Sequence, residues 1–166
     1  MQNLINNIIE NKGNNYFEFY CNSNNPVRHL KEQTSSVPDR SGLYLVFSKK
    51  RNDEFCESCA HLNYEIELER NELLYFGKAG GLTNKGRIIR QGLKGRINNV
   101  ISDSSRNLKD IKRANYWNIV MNDFNFIKFI IIYIEHDNPQ EVENTIYNFL
   151  DESNLKYPLL NKRRGR

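Results

Sequence analysis

The sequence of the first half of the chain predicts two short helices and three strands. Apolar residues three and four positions apart are typical of one helix face, and they predict an amphipathic helix over residues 2–11 that Gly13 ends. Aromatic and β-branched residues favour strands. They predict strands at residues 16–21, 42–48 and 72–77, with a brief helix at residues 26–32. An acidic insert, residues 49–70, separates the second and third strands.

The second half of the chain alternates helices with one very apolar strand. A glycine-containing loop from residue 80 precedes a helix that ends near Ile101, and residues 108–121 predict another helix. Residues 124–135 form an almost continuous apolar run. Such a run is typical of a strand that side chains cover on both faces.

The last helix has a predicted beginning as well as a predicted body. Asn138 is suited to the N-cap, Pro139 to the first turn, and Glu141 to the third position of a capping box. The apolar spacing that follows continues to about residue 152. Glu141 therefore has a structural role at the beginning of this helix.

Length and composition favour one globular domain over residues 1–166. Hydrophobic residues make up 39% and charged residues 27% of the chain, which is typical of folded proteins. Within the domain we expect an N-terminal extension (residues 1–40), the insert (49–70) and a basic tail (162–166). The apolar run at residues 129–134 is far shorter than the roughly 20 residues of a membrane span, and residues 1–13 lack a cationic start. These features predict a soluble, cytoplasmic protein.

Positive charge is concentrated in one segment, although the net charge of the chain is only +4. Between Lys78 and Arg113 there are ten basic and two acidic residues, so this segment carries +8 and the remainder −4. Segregation of this kind favours a polyanionic partner, and double-stranded DNA or RNA is the natural candidate. The candidate phosphate contacts are Lys78, Lys85, Arg87, Arg90 and Lys94. For each of them a solvated surface role is an open alternative.

Five short motifs follow one another in an order that is informative. They are Gly42-Leu43-Tyr44, Tyr75-Phe76-Gly77-Lys78, Leu93-x-x-Arg96, the helix residue Glu143, and Tyr157-Pro158-x-x-Asn161. Together they resemble the GIY-YIG nuclease superfamily over about residues 41–161. The long separation of the two tyrosines, with an insert between them, is most similar to the type II restriction endonuclease branch. One position departs from the family, which often has His or Tyr where this chain has Val100.

The resemblance implies an α/β (α+β) domain, with a small mixed three-stranded sheet flanked by helices, that hydrolyses phosphodiester bonds with one divalent ion, Mg²⁺ or Mn²⁺. Tyr44 is the candidate general base, provided that the site lowers its pKa from about 10. Tyr75 then positions the water or a phosphate oxygen, and Arg96 stabilises charge in the transition state. Glu143 is the candidate metal ligand. Asn161 either holds the site by hydrogen bonds or ends a turn.

Cys56, Cys59 and His61 are a weaker signal within the insert. With Cys21 they supply enough ligands for a zinc ion, but a single Cys-x-x-Cys pair without a second well-spaced pair more often consists of reduced thiols. Zinc is therefore the less favoured interpretation of this segment.

The function that these observations predict is a Mg²⁺-dependent DNA endonuclease, most simply a restriction enzyme. Cutting both strands of a symmetric site calls for a homodimer, and a restriction system implies a cognate DNA methyltransferase. Two alternatives stay open at this point. One is a phage or mobile-element nuclease of low sequence specificity, and the other is a nucleic-acid-binding module that has the fold without catalysis.

Overall fold

The computed structural model describes residues 1–20, 34–50, 62–67, 69–82, 86–102, 126–158 and 160–161. Several sequence predictions lie outside these residues. They are the helices at 26–32 and 108–121, the cysteines with His61, Lys85, and the basic tail. No helix in the described ranges has the length and apolar character needed to cross a membrane.

The described residues contain three α-helices, five strands and one 3₁₀ turn. In chain order they are α1 (Gln2–Glu10), β1 (Tyr16–Tyr20), a 3₁₀ turn (Thr34–Ser36), β2 (Gly42–Lys50), β3 (Asn63–Ile66), β4 (Glu69–Ala79), α2 (Leu93–Ser102), β5 (Phe126–Glu135) and α3 (Pro139–Glu152). The strands form one sheet in the order β1-β5-β2-β4-β3, and every neighbouring pair is antiparallel. This confirms an α+β fold.

The expectation of a small, mixed, three-stranded sheet needs correction. The two motif strands, β2 and β4, and the apolar strand β5 are neighbours at the centre, in the order β5-β2-β4, but β1 adds to one side and β3 to the other. All pairs are antiparallel. The physical reason lies in the exposed hydrogen-bonding edges of a three-stranded sheet, which β1 and β3 pair with and thereby protect.

Both faces of the sheet are covered, as the apolar run of β5 predicts. Ile130 and Ile132 pack into the cluster that contains α1 and α3, whereas Phe129 and Ile131 pack with Leu93 and Ile97 of α2 on the other face. Alternate side chains of a strand point to opposite faces. The helices that carry Arg96 and Glu143 therefore lie on opposite sides of the sheet.

The beginning of α3 differs from the predicted capping box. Asn138 occupies the N-cap position, but its side chain makes no capping bond to the helix backbone. Its Nδ2 donates instead to Oε2 of Glu141 at 2.9 Å. Glu141 is exposed and accepts from Asn138, so it keeps a local role at the helix N-terminus. Glu143 is less exposed than Glu141.

A cluster of charges at one end of the sheet gives a test of folded-state electrostatics. Lys128 Nζ lies 2.9 Å from Oε2 of Glu69 and 3.2 Å from Oε1 of Glu18. Hydrogen bonding to Lys128 lowers the pKa of Glu69, with Lys49 adding to the effect. The Glu69 side chain is 39% exposed, so solvent screens the pair and limits its contribution to stability.

We expect Glu69→Gln to lower the free energy of unfolding by up to about 1 kcal/mol near pH 7. Because folding lowers the pKa of Glu69, its contribution is complete above the unfolded-state value of about 4.3 and disappears as the pH falls through the lower folded value. Urea titrations at pH 7 and pH 3 measure this, with Glu65→Gln as the control on an exposed carboxylate. An unchanged difference between wild type and Glu69→Gln at the two pH values would contradict the prediction.

Candidate active site

The two motif tyrosines meet above the glycine of the second motif. The Tyr44 and Tyr75 rings are 5.6 Å apart between centroids, and Tyr44 lies opposite Gly77 in the β2–β4 pairing. A Cβ on Gly77 would lie 2.7 Å from Cε1 of Tyr75 and 3.0 Å from the Tyr44 hydroxyl oxygen. Any side chain at Gly77 would therefore displace the phenols. The glycine is required because both rings extend over this position of the strand.

The environment of Tyr44 keeps its hydroxyl protonated. Burial is the largest cause that raises the pKa of Tyr44 well above 10, and the charge and hydrogen bond of Tyr75 raise it further. Glu143 acts in the same direction, while the cation of Arg96 opposes them. The expectation that the site lowers the pKa of Tyr44 is therefore wrong for the protein without a bound ion or substrate. The physical reason is that the phenol is only 3% exposed, so a phenolate would lose nearly all of its hydration.

Arg96 brings a permanent cation to the site from α2. Leu93 and Ile97 of the same helix are fully buried against the sheet, and Arg96 lies at the margin of this buried face, where it is partly exposed. Its Nε is buried and has no hydrogen-bond partner among the described residues. Burying an unpaired donor is unfavourable, and an anion placed here would satisfy it.

Lys78 and Glu143 form an ion pair on the α3 side of the site. Lys78 Nζ lies 3.9 Å from Oε2 of Glu143, with the two side chains 13% and 17% exposed. Loss of hydration lowers the pKa of Lys78, Glu143 acts to raise it, and Arg96 acts to lower it. The charges of Glu143 and Arg96 thus both reach Lys78 and Tyr44, although their helices lie on opposite faces of the sheet. The structure brings together Tyr44, Tyr75, Lys78, Arg96 and Glu143.

Asn161 braces the strand that carries Tyr75. Its Oδ1 accepts from the Phe76 backbone N–H at 3.0 Å, and its Nδ2 donates to the Phe76 carbonyl at 2.9 Å. The next contact is made by Leu160, whose N–H donates to the Leu74 carbonyl at 2.9 Å. The side chain of Asn161 thus occupies the place of a neighbouring strand at this part of the β4 edge. Its position fits the hydrogen-bonding role among the two expected, and it acts through β4.

Tyr147 is a member of this region that sequence reasoning did not assign to the site. Its hydroxyl accepts from Asn161 Nδ2 at 3.1 Å, and its ring packs against Phe76 with centroids 4.7 Å apart. Burial is the first cause that raises its pKa, and Glu143 contributes to the shift. The sequence offered one signal of this role: Tyr147 follows Glu143 by four residues, which is about one helical turn.

The remaining candidate DNA contacts lie outside this cluster. Arg87 and Arg90 are exposed in the segment that precedes α2. Lys94 donates from Nζ to the Ser35 carbonyl at 3.1 Å, which gives it a role in holding the 3₁₀ turn. Lys78 is not a solvated surface residue, because its side chain is 13% exposed and lies beside Glu143 in the site.

Glu143 is the carboxylate of this site that could bind a divalent ion. The residues that the structure describes contain no group of three or more His, Cys, Asp and Glu side chains able to hold a metal. Glu143 supplies one partly exposed carboxylate. Mg²⁺ is commonly bound through one or two carboxylates while water and substrate oxygens complete its shell. The residues present are thus compatible with a Mg²⁺ ion that Glu143 anchors.

Comparison with known proteins adds no further constraint on this site. No protein-family model, curated protein or solved structure that was searched matches this chain.

Proposed function

We propose that this chain is a Mg²⁺-dependent endonuclease that hydrolyses phosphodiester bonds in duplex DNA. More specifically, we propose a type II restriction endonuclease built on a GIY-YIG core. The observation that carries the proposal is the convergence of two phenols, one guanidinium and one carboxylate from four different elements. Their sequence positions span a hundred residues, and the charges of Arg96 and Glu143 both act on the Tyr44 hydroxyl beside Tyr75.

The phenols are suited to orienting the attacking water. Tyr44 is neutral because burial raises its pKa, so its hydroxyl acts as a hydrogen-bonding group with a proton of its own. For Tyr44 to take a proton from water it must pass its own proton to the hydrogen-bonded hydroxyl of Tyr75, and Tyr75 must release its own proton to solvent in the same step. Tyr75 is partly exposed, so solvent can take that proton. This Tyr44–Tyr75 relay replaces the phenolate base that the motifs alone suggest.

Arg96 is suited to the charge that develops on the phosphate. Its planar guanidinium presents a fork of donors that matches phosphate oxygens. The buried Nε, which has no hydrogen-bond partner among the described residues, is a donor that a phosphate oxygen would satisfy. Preorganised donors of this kind are among the largest contributions to catalysis.

Glu143 would hold the ion, and Lys78 would balance the negative charge of the Glu143 carboxylate. A bound Mg²⁺ supplies a Lewis acid that polarises a phosphoryl oxygen and stabilises the leaving oxygen. Lys78 neutralises Glu143 when the carboxylate has no other counterion. Its ammonium is also a candidate contact to the scissile phosphate, while Arg87 and Arg90 are candidates for phosphates farther along the duplex.

The test is incubation of the purified protein with closed-circular plasmid, with Mg²⁺ or with EDTA. We expect discrete fragments only with Mg²⁺, and a loss of about 10²-fold or more in rate for Tyr44→Phe. Tyr64→Phe is the matched control, because Tyr64 is also a buried tyrosine and burial raises its pKa to about 12. Tyr64 lies away from the site, on β3, where its ring packs against Phe47 of β2.

The outcomes separate the alternative functions. A smear of fragments would favour a nuclease of low specificity, and binding without cleavage in any divalent ion would favour a non-catalytic module. Equal cleavage rates for Tyr44→Phe and Tyr64→Phe would remove the relay from the mechanism.

A further inference from the structure

Two large apolar side chains are exposed beside the candidate active site. Among the residues that the structure describes, the exposed large hydrophobic side chains are Leu82, at 51%, and Ile88, at 78%. They face each other across an isolated antiparallel bridge. Single exposed apolar residues are common, but a bridged pair in a basic segment requires an explanation.

The backbone holds this pair in place. The Gly80 N–H donates to the Gln91 carbonyl at 2.8 Å, and the Ile89 N–H donates to the Gly81 carbonyl at 2.9 Å. Residues 80–82 and 88–91 are thus two paired arms. The same bonds fix the direction in which the apolar side chains leave the surface.

The paired arms are also attached directly to the site. Lys78 Nζ donates to the Leu82 carbonyl at 2.9 Å, and the same nitrogen lies 3.9 Å from Glu143 Oε2. A Cβ on Gly81 would lie 3.2 Å from Cγ of Pro139, the first residue of the helix that carries Glu143. One lysine side chain therefore separates the apolar pair from the candidate metal ligand.

The positive charge around Leu82 and Ile88 favours a negatively charged partner. Arg90 is exposed on the second arm and Arg87 is exposed immediately before it. Lys78 lies at the base of the first arm. A second copy of this chain, docked through the same surface, would bring these cations close to their own symmetry mates. A polyanion with apolar surface between its charges satisfies both features, and duplex DNA with its stacked bases is such a partner.

We propose that Leu82 and Ile88 form a wedge that inserts between base pairs and opens one step of the duplex beside the scissile phosphate. This inference rests on the proposed function. Leu and Ile are among the side chains that proteins insert between base steps, and the partial unstacking kinks the duplex. Arg87 and Arg90 bind the phosphates that flank the opened step. The wedge thereby makes cleavage depend on how easily the local sequence unstacks.

Duplex unwinding tests the wedge without knowledge of the recognition sequence. Glu143→Gln protein is mixed with relaxed closed-circular plasmid and topoisomerase I in EDTA, and the topoisomers are then separated by gel. We expect the bound protein to shift the distribution to lower linking number. Adding Leu82→Gln and Ile88→Thr should remove most of this shift at equal occupancy. Both positions are exposed, so thermal unfolding should be unchanged.

Two controls isolate the apolar character of the pair. Leu82→Met with Ile88→Val keeps apolar side chains and should keep the topoisomer shift. Arg87→Ala with Arg90→Ala should weaken binding and reduce the slope of log affinity against log salt by about 1 for each lost phosphate contact. The polar wedge variant should leave that slope unchanged.

The outcomes distinguish this inference from the nuclease proposal. Cleavage by the wild type with no topoisomer shift, or an equal shift from the polar variant, would overturn the wedge alone. A shift without any cleavage would leave the wedge and overturn the nuclease. If the polar variant changes a dimer into a monomer in sedimentation while the shift persists, the pair is a subunit contact and the wedge is wrong.

Discussion

Glu143→Gln is expected to reduce the rate of DNA cleavage by at least about 10³-fold, which corresponds to roughly 4 kcal/mol in the activation barrier. The amide is nearly the same size but has no charge to hold a divalent ion. It also leaves Lys78 without its carboxylate partner in the site. Binding to DNA should persist, because the amide removes a negative charge from a surface that faces phosphates. Plasmid cleavage and gel-shift assays with the same preparations measure the two effects separately.

Glu141→Gln is the matched control for this variant. Glu141 lies two residues earlier on the same helix, is exposed, and accepts from Asn138. It should cleave at a rate within about twofold of the wild type. If Glu141→Gln and Glu143→Gln lose activity equally, the carboxylate assignment is wrong, and the loss reflects the beginning of α3 rather than an ion at Glu143.

Arg96→Lys is expected to reduce the cleavage rate by about 10²-fold while changing DNA affinity little. Lysine keeps the positive charge but lacks the planar fork and has no equivalent of the Nε donor. The loss should therefore appear in kcat, since the donor contributes most where charge develops in the transition state. Single-turnover kinetics at saturating protein measure it directly.

Arg40→Lys serves as the comparison for Arg96→Lys. Arg40 is 77% exposed and pairs with Glu135 at 3.2 Å on the surface. It should retain wild-type activity. A large loss in kcat from Arg96→Ala with none from Arg96→Lys would contradict the geometric argument, since it would mean that charge alone is sufficient.

Local pattern was enough to predict the elements that carry the site. The strand around Tyr44, the strand around Tyr75 and the helix around Glu143 each have an apolar period that one sequence reveals. The boundaries were less accurate, because pairing with neighbours extends β4 back to Glu69 and forward to Ala79. The roles that the motifs assign to these side chains stay predictions.

The features that sequence reasoning missed depend on contacts distant in the chain. Strand β3 has only four residues, two of them polar, and it forms because the edge of β4 is available to it. The raised pKa of Tyr44 depends on how completely the other elements bury it. The pairing of Lys78 with Glu143 joins residues 65 positions apart. None of these leaves a signature in a local window.

The brace that Asn161 places on β4 has a consequence for how the protein matures on the ribosome. Its bonds to Phe76 join residues 85 positions apart. Synthesis proceeds from the N-terminus, so the tyrosine-bearing strand emerges long before the amide that secures it, and contacts at such separation form late. The strand that carries Tyr75 is therefore braced only after residue 161 has left the ribosome.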